Sequence, residues 1–66
     1  MDYWADTGFA AGKVFSILEG LEDKSSGITQ LKKSVNHKCF DYALGWLLRE
    51  EKIVIEGEGR KVIVKL

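Results

Sequence analysis

From Thr29 to Leu66 the chain carries three signals in a fixed order, and that order limits its folds more than any other feature. A short polar helix pattern opens at Thr29, whose hydroxyl suits a helix N-cap, and runs to about Val35 with Leu31 and Val35 facing inward. Asn36 ends it or caps the next. A longer amphipathic pattern runs from about Lys38 to Glu51, closed by Lys52. Its apolar stripe is Phe40, Ala43, Leu44, Leu47 and Leu48, and its far face is Lys38, Asp41, Tyr42, Gly45 and Arg49. Trp46 and Cys39 lie on a flank between the two faces. Two β-branched runs, residues 52–56 and 61–66, then flank Gly57-Glu58-Gly59-Arg60. Those glycines supply the positive φ angles of a tight hairpin. Alternation puts Val62, Val64 and Leu66 on one strand face and Lys61, Ile63 and Lys65 on the other.

The preceding segment adds one more helix. Ala10, Val14, Ile17, Leu18 and Leu21 recur at helical spacing, with Gly12, Ser16 and Glu19 opposite and Phe15 at the edge. Thr7 is the expected N-cap, residues 1–6 read as a flexible polar tail, and Gly20 with residues 23–27 forms a turn. Ile28 is expected in a short strand or bridge. Helix, helix, helix and hairpin at these spacings predict an α+β fold, the winged helix-turn-helix, with a small antiparallel sheet and a C-terminal wing. Sixty-six residues hold one core, so 1–66 is one domain.

Charge bounds the function. The formal net charge is zero, whereas nucleic-acid-binding domains usually carry a basic excess. The charge is unevenly spread. Residues 1–23 are net four negative, and residues 24–38 hold Lys24, Lys32, Lys33 and Lys38 without an acid. One cysteine, Cys39, excludes an internal disulfide, and with His37 it is too small a set for a structural zinc site. It reads as a small half-buried thiol. The lone thiol and the absence of a signal peptide point to the cytoplasm. No apolar run approaches a membrane span.

Ala43-Leu44-Gly45-Trp46-Leu47-Leu48-Arg49-Glu50-Glu51-Lys52-Ile53 resembles the signature of a small prokaryotic winged helix-turn-helix family of unknown function. Ala11-Gly12-Lys13-Val14-Phe15 resembles that family's first helix, although Phe15 stands where tryptophan is expected. The resemblance covers nearly the whole chain. It implies a winged-helix fold and, as an expectation, a homodimer. It carries over no ligand, activity or functional residue.

Two functions of different class remain open. The first is a double-stranded DNA-binding module in transcriptional control. Lys38 and Arg49 suit phosphates or guanine edges, Tyr42 can stack or donate, and His37 lies near the start of the recognition helix. Lys32 and Lys33, with Lys24 in the turn before them, suit the DNA backbone. Arg60 and Lys61 suit a groove or phosphate at the wing, although Glu56 and Glu58 offset their field. Each of these is also an ordinary solvated charge. The second is a protein-contact module, a homodimer above all. Val54 and Ile63 should face away from the core, and Tyr3, Trp4 and Trp46 lack an obvious home in it. Alternatively, Trp4 folds back over the sheet or the first helix. No catalytic constellation, small-molecule site or cofactor motif stands out, and Gly57-x-Gly59 lacks the helix start and lysine of a phosphate cradle.

Overall fold

The computed structural model describes residues 2–66. Helix α1 spans Tyr3–Gly20, strand β1 Ser25–Gly27, helix α2 Ile28–Val35, helix α3 Phe40–Arg49, strand β2 Val54–Glu56 and strand β3 Ile63–Lys65. The sheet is antiparallel in the order β1-β3-β2. Three helices with a small antiparallel sheet, closed by a hairpin, make the winged helix expected from the chain.

One apolar core holds the layers together. Ala10, Ala11, Val14 and Leu18 of α1 meet Leu31 and Val35 of α2, and Phe40, Ala43, Leu44 and Leu47 of α3. Ile53 and Val64 close it from the sheet side. Val54 pairs with Lys65, Ile55 with Val64 and Glu56 with Ile63. Period-two alternation therefore sends Val64 inward and leaves Val54 and Ile63 exposed. On the outer face Lys65 Nζ lies 3.0 Å from Glu56 Oε1. Leu66, expected on the inner face, is exposed just beyond the strand end.

Several boundaries differ from the sequence reading. Helix α1 begins at Tyr3, with Asp2 and not Thr7 as its cap; Asp2 Oδ1 accepts from the Ala5 amide at 3.1 Å. The expected tail is therefore helical from Tyr3 onward, and Met1 lies outside the described residues. Ile28 opens α2 directly after β1, and its amide donates to the Val62 carbonyl at 2.9 Å. Gly27 holds the N-cap position, so Thr29 sits inside the first turn without capping. Asn36 ends α2 in the left-handed region at φ 48°, as its amide-bearing side chain tolerates.

Helix α3 starts at Phe40, two residues later than expected, because the Cys39 amide donates to His37 Nδ1 at 3.0 Å. Cys39 is fully buried, not half-buried, and so is parted from Trp46. Leu48 is 46% exposed and does not belong to the buried stripe. At 100° per residue it falls beyond Leu44, away from the stripe centre, where the helix leaves the core. The helix closes through Glu51, not Lys52. Glu51 takes φ 60°, and the Lys52 amide donates back to the Leu47 carbonyl at 2.9 Å.

The wing turns at Gly57–Val62. Gly57 has φ 94°, and a Cβ there would collide with the Lys61 carbonyl oxygen. Gly59 has φ 65°, and the Lys61 amide donates to the Glu58 carbonyl at 3.2 Å.

Candidate nucleic-acid interface

Helices α2 and α3 are joined by the four residues Asn36–Cys39, the connection length of a helix-turn-helix. Burial of Leu31 and Val35 fixes α2 by its apolar edge and turns Lys32 and Lys33 to solvent. Lys38 is exposed in the turn, one residue ahead of the buried Cys39. Among the expected contact residues, Lys32, Lys33, His37 and Lys38 thus gather around one corner. Tyr42 and Arg49 continue along the exposed face of α3, and Arg60 and Lys61 stand apart on the wing.

The electrostatics around this corner are mixed. Lys32 Nζ approaches Asp41 Oδ2 at 3.8 Å, and both side chains are mostly exposed, so water screens the pair. Lys24 is exposed, but its ammonium is engaged. Its Nζ donates to the Glu19 carbonyl at 2.6 Å and caps the end of α1. His37 is only half exposed; beyond its bond to Cys39, its ring lies 5.8 Å from Phe9. Acids separate α3 from the wing: Glu50 and Glu51 follow the helix, and Glu56 and Glu58 flank the turn.

The exposed face of α3 is aromatic on one flank. Tyr42 is 60% exposed and Trp46 51%. Opposite them on α1 stand Tyr3, 56% exposed, and Trp4, 90% exposed. Trp4 does not fold back over the sheet or helix. The Tyr3 and Tyr42 rings meet edge to face, with centroids 5.9 Å apart and planes at 73°. These four rings, with Thr7 and Gly8, line a hollow of about 680 Å³. A second hollow of about 350 Å³ shares Gly8 and Trp46 with it and continues to Gly12, Phe15 and Lys52. Helices α1 and α3 therefore run side by side in the same sense, with an apolar groove between them. Tyr42, on the far face of the α3 pattern, joins the surplus aromatics Tyr3, Trp4 and Trp46. The spacing carries this in the sequence, because Tyr42 and Trp46 are four apart on one helix face.

Among the described residues no three His, Cys, Asp or Glu side chains come together to hold a metal ion. No helix among them is long and apolar enough to cross a membrane.

No solved structure matches the chain. An uncharacterized protein of Methanocaldococcus jannaschii is 37% identical over 67 residues, covering 98% of this chain and 96% of that one. The family model of a winged helix-turn-helix domain, DUF2582, matches residues 1–66. Helix-turn-helix corner, hairpin wing and whole-length match agree, and the chain belongs to this family of winged helix-turn-helix domains.

Proposed function

We propose that the domain binds double-stranded DNA without catalysing a reaction, and serves transcriptional control. The observation that carries this is the α2–turn–α3 corner, where Lys32, Lys33 and Lys38 are exposed in a stretch, residues 24–38, that holds no acid. Lys32 and Lys33 meet the phosphate backbone; His37, Lys38 and Tyr42 enter the groove with the start of α3, and Arg49 follows along it. Arg60 and Lys61 add little, because Glu56 and Glu58 offset their field.

Anisotropy of a labelled mixed-sequence duplex, titrated at low and moderate salt, tests this. Three or four phosphate contacts give a log–log salt slope of about −3. Lys38→Glu combined with Arg49→Glu is expected to abolish binding while circular dichroism stays unchanged. Unaltered affinity in that double variant would remove this face from consideration.

A second reading has its own support. Zero net charge, the two glutamates that offset the basic wing tip and four exposed aromatic rings on one side favour protein contact, with a second copy of the chain as partner. Sedimentation across the micromolar range tests it, and a monomer throughout would eliminate the homodimer.

A further inference from the structure

We propose that the groove between α1 and α3 seats a second copy of this chain, which lays its Trp4 over Gly8. The inference rests on the self-association reading and gives it a surface and a register.

Trp4 is the most exposed large apolar residue of the described chain. One helical turn further, on the same flank of α1, stands Gly8. Gly8 leaves that wall bare, and a Cβ built there meets nothing within 4 Å. A protruding ring and an empty seat four residues apart are self-complementary. An antiparallel pairing of α1 with the partner's α1 that sets Trp4 against the partner's Gly8 also sets Gly8 against the partner's Trp4. This is the isologous contact of a two-fold dimer, in which one residue pair is used twice. Tyr3, braced edge-on by Tyr42, and Trp46 form the walls that the incoming ring would touch.

The four rings supply more than half of the area a two-fold interface needs. At about 200 Å² for a fully exposed aromatic side chain, the four rings leave roughly 500 Å² accessible. That already lies within the range of the largest apolar patch on a typical monomer, about 300–600 Å². The adjoining hollow at Gly12 and Phe15 extends the surface toward the ~800 Å² per partner of a stable interface. With no net charge, two copies do not repel each other at long range.

The groove takes the Tyr42–Trp46 flank of α3. Asp41, beside Lys32, lies on the other flank, so the α2 lysines are not consumed. Tyr42 alone belongs to both surfaces.

The test is sedimentation velocity of the wild type, Trp4→Ala and Gly8→Leu from low to high micromolar concentration, with tryptophan emission recorded alongside. Neither variant strikes the core. Trp4 is solvent-facing in the monomer, and leucine at Gly8 fills the seat while raising helix propensity. The expected result is a wild-type dimer whose emission shifts to the red on dilution. Both variants should raise the dimer dissociation constant by about a hundredfold or more, with unchanged circular dichroism. A wild type that stays monomeric overturns both the self-association reading and the groove. A dimer unaffected by either substitution spares the reading and overturns the groove.

Discussion

Two residues in the left-handed region carry opposite consequences. Glu51 adopts φ 60° at the end of α3, where a side chain costs about 1 kcal/mol or more and glycine costs little. Glu51→Gly is expected to raise stability by about 0.5–1 kcal/mol, read as a higher denaturant midpoint with an unchanged slope. Gly57 is the reverse case. Its φ of 94° and the Lys61 carbonyl leave no place for a Cβ, so Gly57→Ala should cost about 1–3 kcal/mol. The same substitution at Gly59, which has open space, should cost less. Equal losses at the two glycines would show that close approach to Lys61 does not set the wing. The sequence marked both glycines as turn residues but could not rank them, because the obstruction comes from a carbonyl four residues away.

Helix α1 is the element that departs most from its pattern. Its apolar periodicity begins at Ala10, yet it has 18 residues and starts at Tyr3. The core reaches only as far as Ala10 and Ala11, so the first two turns overhang it with the Asp2 cap as local support. Asp2→Ala should cost about 1 kcal/mol and fray this end, lowering helical ellipticity before global unfolding. An unaltered ellipticity would mean that the overhang is held by something other than its cap. Helix α3 shows the converse. Its period was legible from Phe40 to Leu47 and failed at Leu48, since a helical stripe continues on paper after the core beneath it has ended.

For the whole molecule, stability rests on a core in which Phe40, Leu18 and Leu31 are the largest fully buried side chains. Phe40→Ala hollows the core at its largest fully buried side chain, and should cost about 3–5 kcal/mol. In a domain of this size that is most of a typical stability margin, about 0.05–0.15 kcal/mol per residue. The variant should be largely unfolded at 37 °C by near-ultraviolet circular dichroism; a cooperative melt near the wild-type temperature would contradict the central place given to Phe40. The same scale decides function. Basic side chains gather at the α2–α3 corner, aromatic ones in the α1–α3 groove, and acids stand between α3 and the wing. A neutral chain can therefore offer one cationic corner and one apolar face. Duplex binding and self-association are then expected to respond to different substitutions, Lys38→Glu with Arg49→Glu for the first and Trp4→Ala for the second.

The chain by itself determined the fold class, the order of elements and most of the core. Those follow from local quantities: a period near 3.6 in the helices, a period of two in the strands, and glycines between them. Tertiary structure decided where each pattern stops, and what its unpaired residues face. Cys39, expected half-buried, is fully buried in the core cluster, with its amide tied to His37 Nδ1. Lys24, exposed like the α2 lysines, is tied to the Glu19 carbonyl because the end of α1 lies within reach of its ammonium. Tyr42 joined Tyr3 and Trp46 because α1 and α3 lie side by side, a neighbourhood that separates residues 39 positions apart in sequence by 5.9 Å in space. Burial, reach and cross-helix contact depend on which elements meet, and that is decided only when the chain is folded.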